Sequence, residues 1–209
     1  MKEETVVLIH GIWMNGMDMS LLAWRLRRHG YKVRHFRYRS VSRNPRHNAL
    51  MLQELVAEIH TPVIHYICHS LGGLVIRHFF FEFPEQKPGR VVTLGTPHRP
   101  SHCAYRLSQV FIGEWMLGKS VENGLLGNVP TWQGTRELGS IAGDMRFGFG
   151  VIIPGLASPN DGTVSVEETR VDNMKDHAIV HASHTGLLLS STTAKLCIGF
   201  LKNGQFPAI

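Results

Sequence analysis

A chain of 209 residues with 43% hydrophobic and 18% charged residues has the size for one domain with a sizeable core and the composition of a soluble globular protein, which excludes a disordered or fibrous chain. Its net charge of +6 is unevenly placed: Arg25, Arg27, Arg28, Lys32, Arg34, Arg37, Arg39, Arg43 and Arg46 lie between residues 19 and 53, where no Asp or Glu occurs. That face reads as a solvated flank, with weak contact to an anionic surface through residues 25–46 as the alternative; no nucleic-acid motif accompanies it, so no nucleic-acid partner is expected. Cys68, Cys103 and Cys197 are odd in number, widely spaced and without metal-ligand pattern, so they suggest neither a disulfide framework nor a zinc site. No run is long and apolar enough for a membrane span. The N-terminus lacks the basic, apolar and small-residue succession of a secretory leader, giving the expectation of a cytoplasmic protein.

In chain order, β-leaning apolar runs alternate with helical patterns, which argues for an α/β chain with a mostly parallel central sheet and helices on both faces. Val6 to His10 reads as the first buried strand. Asp18 or Ser20 caps a helix through Leu26, and Gly30 stands where a helix end favours a left-handed residue. Lys32 to Tyr38 is a second strand, whose alternation places it at a less buried edge. A helix spans Asn48 to His60 with Leu52, Leu55, Val56 and Ile59 on one face. Pro62 closes it and opens a third strand, after which Leu74 to Phe80 continue as helix. Arg90 to Gly95 forms the next strand and Tyr105 to Leu117 a helix. Leu138 to Ala142 and Ala178 to Val180 are the remaining strands, and Ser190 to Leu201 is the closing helix.

Between the third strand and its helix lies Cys68-His69-Ser70-Leu71-Gly72-Gly73. Strand, tight turn of small residues and helix are the setting of a nucleophile elbow, with the Ser70 hydroxyl projecting from the turn; a plain helix cap is the alternative. The first position of G-x-S-x-G is here Cys68. A serine hydroxyl is a poor nucleophile at neutral pH unless an imidazole takes its proton and an acid holds that imidazole. Asp161, on the turn Ser158-Pro159-Asn160-Asp161-Gly162-Thr163, is the candidate acid because Asn, Gly and Pro favour turns; Asp144 is its rival. His184, on the loop before the last helix, is the candidate base, with His181 and His177 as fallbacks. Acyl transfer also needs donors for a developing oxyanion. The Leu71 N–H follows the serine directly, and the Ile12 N–H, with Trp13 second, comes from the loop after the first strand. Trp13, Met14, Met17, Trp115, Met116 and Leu117 offer apolar lining for an acyl pocket, with ordinary core packing as the alternative.

Together, Val6-Val7-Leu8-Ile9-His10-Gly11, Cys68 to Gly73, Val91-Val92-Thr93-Leu94-Gly95-Thr96-Pro97, Asn160 to Val164 and His184-Thr185-Gly186-Leu187-Leu188 resemble the α/β-hydrolase superfamily, in particular its compact bacterial serine lipases and esterases. The resemblance implies one domain over residues 1–209, with room for a small cap within 100–136. It implies Ser70, Asp161 and His184 as triad, Ile12 and Leu71 as oxyanion donors, a small or lipid-like ester as substrate, and no metal or redox cofactor. A thioesterase or acyltransferase using the same residues, or a non-catalytic ligand-binding protein on the same fold, are the competing readings.

Overall fold

The computed structural model describes residues 3–148 and 153–208. Among them, β1 (Glu4–Ile9), β2 (Lys32–Phe36), β3 (Val63–His69), β4 (Val91–Leu94), β5 (Leu138–Gly143) and β6 (Asp176–Val180) form one sheet in the order β2-β1-β3-β4-β5-β6. All five pairings are parallel. Parallel strands need crossovers that cover both faces, and the helices supply them. On one face lie α1 (Ser20–Arg28) and α7 (Ser191–Asn203); on the other lie α2 (Pro45–Ala57) and α3 (Gly72–Glu82). Among the described residues no helix is long and apolar enough to cross a membrane.

The alternation of side chains along each strand divides the core. Val6 and Leu8 pack toward α1 and α7, while Val7 and Ile9 pack toward α2 and α3. Cys68 falls on the second of these faces with Tyr66 and is fully buried. Where the elbow pattern has glycine, this chain therefore carries a core thiol, whose pKa burial pushes well above its usual value. The β2 strand occupies one edge of the sheet, as its half-exposed pattern requires.

From β1 the chain runs outward to β2, then returns past β1 to β3. The connections leaving β1 and β3 thus diverge, and a crevice opens at their carboxyl ends. Gly11 to Met14 follow β1, and Ser70 follows β3. Both flank that crevice.

Two elements depart from the sequence pattern. Asn44 caps α2 with its Oδ1, which accepts from the His47 N–H at 2.8 Å, and Pro45 takes the first helical position, so α2 begins three residues before Asn48. The helix expected over Tyr105–Leu117 is instead two short ones, α4 (His102–Ser108) and α5 (Phe111–Leu117). They break at Val110, which is extended at φ −121° and ψ 138°. Gly113 then packs so tightly on the end of α4 that a Cβ there would stand 2.1 Å from the Leu107 carbonyl oxygen. Residues of α4, α5 and the Leu125 loop pack with Leu71 and Leu74 into a third apolar cluster above the carboxyl ends of the strands. A short helix α6 (Gly186–Leu189), four residues long and just before α7, has no counterpart in the sequence pattern.

Candidate active site

Ser70 occupies the turn between β3 and α3 with φ 51°, a left-handed conformation that costs an L residue about 1–2 kcal/mol. Its surroundings hold it there. The Ser70 N–H donates to the Leu94 carbonyl at 2.9 Å, and the Ser70 carbonyl accepts from the Gly73 N–H and the Thr96 hydroxyl at 3.0 and 2.9 Å. Two glycines let the helix start this close to the sheet. A Cβ on Gly72 would lie 2.5 Å from the Ile9 carbonyl oxygen, and one on Gly73 would lie 2.2 Å from Thr96 Oγ1.

Asp161 is fully buried on its turn. Its Oδ1 accepts from the Thr163 and Val164 N–H groups at 2.9 and 2.7 Å, and its Oδ2 accepts from His184 Nδ1 at 2.7 Å. A backbone bond reinforces the pair, with the His184 N–H donating to the Asp161 carbonyl at 2.9 Å. Since a carboxylate only accepts, Nδ1 carries the proton, and Nε2 is left as the nitrogen able to take one. Gly95, at φ 55°, passes beside the pair; a Cβ there would stand 3.0 Å from both Asp161 Oδ2 and His184 Nδ1. Ser70 and His184 border the same cavity of about 310 Å3.

The rival residues lie elsewhere. Asp144 pairs with His181 at 2.8 Å, and the His181 side chain is 77% exposed. His177 lies within hydrogen-bond distance of the Thr169 hydroxyl at 2.9 Å, and burial lowers its pKa to about 4. None of the three borders the cavity with Ser70.

The loop after β1 is held by His10, whose ring stacks on Tyr38 with centroids 4.2 Å apart. The Tyr38 N–H donates to His10 Nε2 at 3.3 Å, so Nδ1 carries the proton and donates to the Gly11 carbonyl at 2.8 Å. Burial lowers the His10 pKa, which keeps this neutral tautomer. Among the described residues the Ile12 and Leu71 N–H groups have no protein acceptor, whereas the Trp13 N–H donates to the Ser40 hydroxyl at 3.2 Å. The geometry therefore separates Ile12 from Trp13 as a donor toward the crevice.

Of the residues expected to line an apolar pocket, Trp13, Met14 and Leu117 border the cavity, as does Ile12; Met17, Trp115 and Met116 do not. Met17 and Trp115 are 66% and 79% exposed. Two residues apart on α5, Trp115 and Leu117 face opposite sides, and only Leu117 turns inward. Met116 contributes its carbonyl, which accepts from Trp13 Nε1 at 2.9 Å. Much of the remaining apolar wall comes from Cys103, Ala104 and Leu107 of α4 and from Leu125, Ile153 and Val164, a scattered set without periodicity. The chain pattern also gave no part to His69. Its Nε2 lies 3.1 Å from the His184 carbonyl, to which it must donate, and its pKa is held well below the usual value, first by burial and then by His184.

No protein-family model and no curated protein matches the chain. Its coordinates do superpose on solved structures. The mature lipase of Bacillus licheniformis matches with a TM-score of 0.78 at 17% identity, over 96% of this chain and 91% of that one. The protein has the α/β-hydrolase fold. A carboxylesterase of Bacillus subtilis shares the α/β-hydrolase fold at a TM-score of 0.64 and 12% identity, over 97% of this chain and 84% of that one. A lipase-esterase related protein of Clostridium acetobutylicum gives 0.63 at 13%, over 96% and 93%. In an α/β-hydrolase fold the strand-to-helix loops at the carboxyl end of the sheet carry ligand sites, and Ser70, Asp161 and His184 are brought together at that end.

Proposed function

We propose that the protein is a serine carboxylic-ester hydrolase of the lipase or esterase type, working through an acyl-enzyme. The observation that carries the proposal is the bond of His184 to the fully buried Asp161, 2.7 Å long, with His184 bordering the same apolar cavity as the strained Ser70. His184 Nε2 takes the hydroxyl proton as Ser70 Oγ attacks the ester carbonyl. Asp161 keeps the imidazole in the productive tautomer and stabilises its charged form. The Ile12 and Leu71 N–H groups receive the negative charge that develops on the carbonyl oxygen, each donor contributing about 2.7–4 kcal/mol to the transition state. The imidazolium then protonates the departing alcohol. Water, activated by the same histidine, releases the acid and restores Ser70.

The cavity supports an uncharged substrate, because no Asp, Glu, Lys or Arg is found among its described lining residues. The names of the structural neighbours, lipases and carboxylesterases, point to the same chemistry. Sheet order separates the two ends of such a substrate. His184 follows β6, while Leu117 and the turn after α5 lie over the β2 side, where the Lys119 N–H donates to the Val41 carbonyl at 2.8 Å. As the leaving alcohol must face His184, the acyl chain lies toward α4, Leu117 and Leu125. The deciding experiment is Ser70→Ala. Loss of p-nitrophenyl ester hydrolysis and of labelling by a fluorophosphonate is expected; full activity in the variant would overturn the proposal.

A further inference from the structure

Glu168 stands outside the triad and does not border the cavity, yet it joins two parts that do. It is buried, with 8% of its surface exposed. Its Oε2 accepts from both the N–H and the hydroxyl of Ser165, at 2.6 and 2.7 Å, and the Ser165 hydroxyl accepts in return from the Glu168 N–H at 3.2 Å. This is the reciprocal geometry of a capping box. Here it closes the turn that carries Asp161, since Asn160 and Ser165 form a β-bridge and Val164 donates to Asp161. The other carboxylate oxygen reaches away from that turn: Oε1 accepts from the His102 N–H at 2.7 Å. His102 is the first residue of α4, the helix that puts Cys103, Ala104 and Leu107 into the cavity wall.

A capping box uses one carboxylate oxygen. The second oxygen of Glu168 is spent on a different segment, 66 residues away in sequence. A charged acceptor at a helix N-terminus is favourable and directional, and burial prevents water from replacing it. Other polar ties on this part of the chain are more exposed or reach other segments: the Arg99 guanidinium pairs with the exposed Glu167 carboxylate, the Arg99 N–H donates to the Glu168 carbonyl at 3.3 Å, the Ser101 N–H donates to the Leu125 carbonyl at 2.8 Å, and the His102 imidazole lies 2.9 Å from the Pro154 carbonyl.

We infer that Glu168 is a positioning residue that sets the α4 wall of the acyl cavity relative to the acid turn, and so governs the hydrolysis of esters whose acyl chain reaches α4. The inference rests on the ester-hydrolase reading above. It separates substrates by length: an acetyl group ends before α4, whereas an octanoyl chain must lie against Ala104 and Leu107.

Three variants test it. Glu168→Gln keeps the shape but can offer an acceptor to only one of its two partners. His102→Pro removes the N–H bonded to Oε1 and leaves the acid turn untouched; proline suits a first helical position, and the preceding Ser101 is already extended at ψ 118°. His102→Ala removes the imidazole and keeps that N–H. With p-nitrophenyl acetate and octanoate as probes, Glu168→Gln and His102→Pro are each expected to raise KM for octanoate about tenfold, the effect of losing one charged hydrogen bond, while kcat for acetate falls less than about threefold. Because both cut the same link, the double variant should do no more damage than the worse single one, and His102→Ala should behave as wild type. Equal losses on acetate and octanoate, unchanged octanoate kinetics, or additive effects in the double variant would overturn the inference while leaving the ester-hydrolase reading intact. A wild-type protein that hydrolyses neither ester would refute that reading and the inference with it. Should Glu168→Gln fail to fold, His102→Pro against His102→Ala decides alone.

Discussion

Gly72→Ala puts one methyl group where helix α3 crosses β1. The new Cβ would lie 2.5 Å from the Ile9 carbonyl oxygen and 2.8 Å from that of His10, against 3.4 Å at the near limit of ordinary contact. Both obstacles are backbone, at the last residue of a central strand and the one after it, and cannot rotate away as a side chain could. The start of α3 must therefore retreat by about 0.9 Å from β1 to restore contact. Leu71 retreats with it, while Ile12 stays with the β1 loop, so the two N–H groups proposed for the oxyanion move apart. Overpacking of this kind costs about 1–3 kcal/mol, and each kcal/mol lowers Tm by about 2–4 °C in a chain of this size. The catalytic loss should be larger, because misplacing a reacting group by about 1 Å costs on the order of 100-fold. Calorimetry and steady-state hydrolysis of p-nitrophenyl esters measure the two effects. Gly30→Ala is the control: at φ 88° with nothing within 4 Å of a new Cβ, it should lose about 1–2 kcal/mol of stability with kcat unchanged. A Gly72→Ala protein with wild-type kcat would refute the reasoning, whatever its Tm.

Asp161→Asn should lower kcat by about 10,000-fold, the scale on which a misheld imidazole tautomer costs a serine hydrolase, whereas Asp144→Asn should stay within about threefold of wild type. The reverse order in steady-state assays would transfer the acid role to Asp144. Stability should also fall in mild acid. Burial lowers the pKa values of His69 and His98 well below the usual range and that of His177 to about 4, while an unfolded histidine titrates near 6.5. Between those values the unfolded chain binds the extra protons, so these groups contribute stability above about pH 6.5 that is lost as pH falls toward 4. A Tm by calorimetry that is the same at pH 5 and pH 7.5 would refute this account.

What the chain order disclosed and what it hid have different physical causes. The run Val6–Ile9 is apolar throughout and Val91–Leu94 is broken only by Thr93, because parallel strands are covered on both faces; alternating with helical patterns, such runs made a parallel sheet readable. The turn around Asp161 was readable because Asn160 and Gly162 have local reasons to be there: Asn160 Oδ1 accepts from the Gly162 N–H at 3.1 Å, and Gly162 takes φ 90°. The break at Val110 was not, since it depends on Gly113 lying against a carbonyl of the preceding helix, a contact no periodicity announces. The cavity wall escaped for the same reason. Cys103, Leu125 and Ile153 come from three unrelated segments, and Trp115 and Leu117 are indistinguishable as apolar residues until the direction of α5 is known. His69 and Glu168 owe their parts to partners 115 and 66 residues away. Their own sequence neighbourhoods carry no trace of those distances.

The parallel sheet also constrains how the site comes into being. Ser70 follows the third strand, Asp161 the fifth and His184 the sixth, and no two of them can meet until the intervening crossovers have closed. Contacts of such long sequence separation are bought late, after loop-closure entropy has been met. Helices α2 and α3 can collapse on β1 and β3 early, with the elbow already bent, while the acid and base still belong to an unformed edge. Recovery of turnover during refolding should therefore lag behind recovery of helical signal. In this fold the last strand to dock, not the first residue to be placed, would switch the proposed chemistry on.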